Sequence, residues 1–213
     1  DDTHHSMNPE VLGMIERLAL NGDEVMLVSS VGGNVHNALT LLEIPGGIDV
    51  VLPQRPDLPV LDGAEVIPYN LLKSLVERRS KEFFDDLRGI RASIRGRMLH
   101  VISPPPIESD QFILKFVSDD PYFSQYNNKS ITPAIVRYKM WLLHCSIYED
   151  LCAEAGVEII QPPSGCVVDG MWLSPECMMA SDPTHANSVY GGHVLEAIED
   201  ALGGCYRGWN WLE

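Results

Sequence analysis

Between Asn8 and Leu20 the apolar residues Val11, Met14, Ile15 and Leu18 recur at helical spacing. They sit three or four apart, as one face of an α-helix requires. Asn8 followed by Pro9 supplies an N-cap and a first helical position. After a turn at Asn21-Gly22-Asp23, residues 24–30 (EVMLVSS) form a short, nearly unbroken apolar run of strand length. Such a run fits a strand buried on both faces of a parallel sheet. The same signature returns at 98–103 (MLHVIS), stopped by Pro104-Pro105-Pro106, and at 157–160, stopped by Pro162-Pro163. Helical periodicity predicts a long helix over 67–94, whole or broken near Gly89. It predicts a second over 133–155, with Ile135, Tyr138, Leu142, Cys145, Ile147, Tyr148 and Leu151 as its buried face and Gly156 as its stop. A last helix is expected over 187–202, ended by Gly203-Gly204. Residues 35–63 are rich in Pro and Gly; a helix within 36–43 and an extended piece at 48–52 are the elements expected there. Residues 107–131 read as polar and irregular with room for a short helix, and 164–181 as a loop. Strands alternating with helices imply an α/β domain with a mostly parallel sheet and helices on both faces, a three-layer α/β/α sandwich. No repeat or linker divides the chain, so residues 1–213 are expected to form one domain.

Charge narrows the function classes. The 213 residues carry 30 acidic and 15 basic side chains, a net charge of −15, which disfavours binding to a phosphate backbone. Eight of the basic residues lie between Lys73 and Arg97, mixed with Glu77, Glu82, Asp85 and Asp86. That mixture reads as the solvated face of a helix, and nucleic acid is not an expected partner. The five cysteines (Cys145, Cys152, Cys166, Cys177, Cys205) show no CxxC spacing. Reduced, partly buried thiols and a cytoplasmic setting are therefore expected. No run is long and apolar enough for a membrane span, and no signal peptide is visible.

In a parallel sheet the site lies beyond the carboxyl ends of the strands. Three features fall there: the Gly32-Gly33-Asn34 turn, the proline run at 104–106, and the loop with Asp182 and His185. Two residues separate that carboxylate from that imidazole. In a tight loop the acid can accept from one ring nitrogen and leave the other as a base, which is half of a nucleophilic triad. An Asx turn beside a surface histidine has the same spacing. The Asn34 amide can donate to a developing oxyanion or serve only as a helix cap. The turn is not a phosphate loop, because GxxxxGK[ST] is absent.

Taken in order, GGNxHN after one strand, a triple proline after another, and DPTHANSVYG running into the last helix resemble the SGNH hydrolases, also called GDSL-type esterases. The resemblance spans about residues 24–202. It implies an SGNH, flavodoxin-like α/β fold and a serine hydrolase for carboxylic or acetyl esters, with a small-molecule or glycan ester as substrate. It makes Asn34 and Gly32 the oxyanion-hole block, with Gly33 and His36 beside the pocket, and it makes Asp182 and His185 the acid and base. No cofactor and no metal is implied. An O-acyltransferase on the same site and a non-catalytic binding domain are the rivals. A metal hydrolase assembled from His4, His5, His36 and Asp182 is a more distant one.

Two departures stand out. Position 35 is valine where the family's G-x-N-D block has aspartate. No G-x-S nucleophile block precedes Gly32. Three accounts of the serine are open: a natural N-terminal segment with the first strand and nucleophile, absent from this sequence; Ser6 as a displaced nucleophile; or loss of catalysis. Ser29 and Ser30 read as structural. His100 and His144 read as core residues, His193 as solvent-facing, Trp141 as core, and Trp172 as a possible pocket wall. Trp209 and Trp211 read as a surface tail. The sequence leaves the oligomeric state open.

Overall fold

The computed structural model describes residues 8–20, 26–43, 47–119 and 130–203. The expectations for His4, His5, Ser6, the 21–23 turn, Cys205, Trp209 and Trp211 lie outside the described residues. The chain is mixed α/β, built around a small parallel sheet. Strands β1 (Leu27–Ser29), β4 (Met98–Val101) and β5 (Glu158–Ile160) lie in the order β1-β4-β5, all parallel. Ser29 pairs with His100, and His100 with Ile159. The three carboxyl ends therefore open at one edge.

Alternation along these strands decides what each face meets. Leu27, Met98, Ile102 and Ile159 join the large apolar cluster with helix α3 (Tyr69–Ser93) and helix α5 (Ala134–Ala155). Val28, Leu99, Val101 and Ile160 pack instead with Val194, Leu195 and Ile198 of helix α6 (Ser188–Ala201). Helix α3 runs unbroken through Gly89. Its basic residues make surface pairs, as the charge pattern suggests: Lys73 with Asp150 and Lys81 with Asp85.

Helix α5 departs from the expected single buried stripe. Val136 through Trp141 are all buried, including Arg137 and Lys139. Each charge has a partner, as burial demands. Lys139 Nζ lies 2.7 Å from Asp49 Oδ1, with both side chains essentially inaccessible. Arg137 donates to Asp110 Oδ1 and to the carbonyls of Ile107, Glu108 and Thr132. Gly156 closes the helix at φ 68°, the left-handed position a C′ glycine takes most readily.

Helix α1 (Pro9–Leu20) begins where Asn8 Oδ1 accepts from Glu10 N. Of its expected apolar face Ile15 is buried, while Val11 and Met14 are exposed. Helix α2 (Val35–Thr40) follows β1. Strand β2 (Ile48–Asp49) pairs in parallel with β3 (Glu65–Val66), a partner too short to show in the sequence pattern. The region 107–131 contains helix α4 (Asp110–Asp119). The stretch 164–181 is not a plain loop. It holds 3-10 turns at Ser164–Cys166 and Pro175–Cys177 around an antiparallel hairpin, β6 (Val167–Val168) and β7 (Trp172–Leu173). Leu173 N donates to Pro106 O, which ties this hairpin to the proline run. Trp172 is buried against Tyr138 in the core. No helix among the described residues is long and apolar enough to cross a membrane.

Candidate active site

A cleft of about 560 Å³ opens at the carboxyl ends of β1 and β4, against the start of α6. Ser29, Ser30, Gly33, Asn34, Ser103 and His185 line its polar end.

The GGN turn is held from below. Gly32 has φ +77°, and a Cβ there would lie 2.0 Å from Tyr148 Oη. Glycine is thus required both by conformation and by space. Gly32 does not line the cleft; it lets the turn press onto α5. Gly33 carries its carbonyl to Ser103 Oγ, which donates at 2.5 Å. Asn34 stands at the N-cap position of α2, but its side chain makes no cap bond. Its Oδ1 instead accepts from Asn37 Nδ2 at 2.9 Å. That contact fixes the amide plane and leaves Asn34 Nδ2, a two-proton donor, without a hydrogen-bond partner among the described residues.

The opposite wall carries His185, with Asp182 behind it outside the lining. Asp182 Oδ1 accepts from Thr184 N at 2.7 Å, Thr184 Oγ1 at 2.8 Å and His185 N at 3.1 Å. It also lies 3.0 Å from His185 Nδ1. The spacing therefore builds an Asx turn and a carboxylate–imidazole pair at once. Partial burial acts to raise the Asp182 pKa, but the Thr184 and His185 hydrogen bonds outweigh it and hold the carboxyl below its usual range. With Asp182 ionised, the proton of His185 belongs on Nδ1, which leaves Nε2 as the basic nitrogen. Thr184 Oγ1, 3.0 Å from Nδ1, shares that proton. The loop itself is fastened to α6. Asn187 Oδ1 caps Val189 N and Tyr190 N, while its Nδ2 donates to Glu176 O and Met178 O.

His36 is not at the pocket. It is buried behind the GGN turn, 4.9 Å centroid to centroid from His144, and neither ring nitrogen has a hydrogen-bond partner among the described residues. Burial, then the neighbouring His144, holds its pKa well below the usual histidine value. Ser103 lines the cleft, though the sequence does not single it out; His144, a core residue on the sequence reading, is buried behind it. His144 Nε2 lies 3.1 Å from Ser103 Oγ, and Trp141 Nε1 donates to Ser103 O. His100 stacks on Tyr148 in the same layer, with Ser29 Oγ 3.4 Å from its Nδ1. Burial lowers the pKa of both His100 and His144 to about 4. These imidazoles are neutral floor, not bases at neutral pH. His193 is half-exposed beside Glu196.

Among the described residues no group of three or more His, Cys, Asp or Glu side chains is placed to hold a metal ion. Chemically, the cleft offers an oriented imidazole, a free amide donor and uncharged walls. Comparison of the chain with protein-family models, curated proteins and solved structures gave no match.

Proposed function

We propose that this chain is a serine ester hydrolase of the SGNH kind, a three-layer α/β/α sandwich acting on a small-molecule or glycan carboxylic ester. One observation carries the reading: Asp182 Oδ1 stands 3.0 Å from His185 Nδ1, at the rim of a cleft that also receives the Asn34 amide. In this reading a serine hydroxyl attacks the ester carbonyl and passes its proton to His185 Nε2. Asp182 holds the resulting imidazolium through Nδ1–H. The tetrahedral oxyanion accepts from Asn34 Nδ2. Collapse breaks the ester C–O bond, and the leaving alcohol takes the proton from His185. Water, deprotonated by the same nitrogen, then releases the carboxylic acid and restores the serine. The cysteines support a reducing, cytoplasmic setting: Cys145, Cys152, Cys166 and Cys177 are unpaired and buried.

Fluorophosphonate labelling with peptide mapping, beside hydrolysis of an acetyl ester, tests this. One labelled serine is expected. Removing the general base by His185→Ala should cost about 10²- to 10⁴-fold in kcat. Folded protein that takes no label and hydrolyses no faster than His185→Ala would overturn the reading.

A further inference from the structure

Away from its polar end, the cleft changes character. Val28 and Val101 of the sheet face Gly191, Val194 and Ile198 of α6 across it. Positions 191, 194 and 198 are three and four apart, so they fall on one face of the helix. Their seven-residue span is about 10 Å at the α-helical rise. Among the described residues no Lys, Arg, Asp or Glu lines the cleft. Its volume, about 560 Å³, lies within the usual range for small-ligand sites. A channel walled by valines and ending at a polar dyad takes an uncharged aliphatic chain with a polar head. No lysine or arginine among the described residues lines it to pair with a substrate carboxylate, and the chain's charge of −15 disfavours an anionic ligand.

Gly191 is the open side of this channel. A Cβ there would meet no atom within 4 Å. Glycine inside a helix costs roughly 1 kcal/mol relative to alanine, yet nothing packs against this position to require it. The space it leaves belongs to the cleft. Gly192 is equally free of neighbours but lies outside the lining and is exposed.

We propose that the apolar arm of the cleft is an acyl pocket for a medium-length, uncharged aliphatic chain, and that Gly191 sets its width. The inference rests on the hydrolase reading for its orientation, with the ester carbonyl at His185 and the chain running along α6. A buried methylene is worth ≈ 0.8 kcal/mol, which converts to about fourfold in affinity.

The test has two readouts. Isothermal titration with neutral methyl ketones, from 2-butanone to 2-decanone, measures the pocket without chemistry. Nitrophenyl esters from acetyl to octanoyl measure kcat/KM. Wild type should bind the ketones about fourfold more tightly per methylene, and the ester series should rise in parallel. Gly191→Leu should flatten both series and cost the longest ligands at least tenfold. Gly192→Leu, with the same change in helix propensity, should keep the wild-type slope. Urea midpoints at or above wild type would show that both variants fold. A flat ketone series in wild type, or equal slopes in the two variants, would overturn the pocket. Ketone binding with the expected slope but no His185-dependent hydrolysis would overturn the hydrolase reading and leave the pocket standing. His185-dependent hydrolysis with no chain-length slope would do the reverse.

Discussion

At Gly32 a single hydrogen in place of a side chain decides whether the GGN turn can reach its floor. Alanine there would hold a left-handed φ, which costs about 1–2 kcal/mol. Its Cβ would also meet Tyr148 Oη at 2.0 Å and Phe83 Cβ at 3.0 Å. Gly32→Ala should therefore destabilise the protein by about 2–5 kcal/mol in all, since overpacking adds another 1–3 kcal/mol, as read from urea unfolding. In a Tyr148→Phe background the loss should shrink, because the nearest atom is gone, but it should not vanish. Equal losses in both backgrounds would mean that backbone strain alone sets the cost. The residues of the candidate site divide by sequence separation. Asp182 and His185 are legible because their contact is made within one turn of chain. The GGN turn is legible because glycines after an apolar run leave few alternatives. Ser103 and His144 are 41 positions apart, and only folding makes them neighbours. Nothing in either local pattern marks them.

The elements show the same division. Helices α3, α5 and α6 are long enough for periodicity to declare them, and their ends carry recognisable stops. The strands β3, β6 and β7 are two residues each, too short for any alternation to register, whereas β2 falls within the extended piece expected at 48–52. Helix α5 defeats a simple amphipathic reading because Arg137 and Lys139 point inward to partners supplied by distant segments. At the junction before α6 one side chain, Asn187, links the Asp182–His185 loop to the helix. Asn187→Ala removes the cap, worth about 1 kcal/mol. It also removes two donors to the carbonyls of Glu176 and Met178, each bond worth about 1 kcal/mol. A total loss of about 2–3 kcal/mol is expected, with faster amide exchange across 176–190 by mass spectrometry. Asn187→Asp keeps the cap, loses the donors and should fall between. An aspartate variant as unstable as alanine would assign the whole effect to the carbonyl contacts.

Across the whole molecule, stability should depend on acid through the buried imidazoles. His100 and His144 have folded pKa values near 4 against an ordinary value of 6.5. Below 6.5 the unfolded chain binds the protons that the folded chain refuses. Their contribution is thus fully present above pH 6.5 and is lost as pH falls towards 4, by on the order of 3 kcal/mol for each imidazole. Urea midpoints at pH 7, 5.5 and 4 should drop steeply. His144→Gln, which has no proton to take up, should show a shallower fall; an unchanged slope would place the acid sensitivity elsewhere. The surface pairs between α3 and α5, such as Arg88 with Glu154, are worth little by comparison. The excursion between α2 and α3 has a different use. It is pinned to the body by the enclosed Asp49–Lys139 contact, and none of its described residues borders the cleft. Its tip, Pro53-Gln54-Arg55, is exposed or half-exposed, the kind of site that accepts inserted sequence. A peptide handle spliced in at Gln54 would let the protein be anchored to a support while every cleft residue keeps its native neighbours.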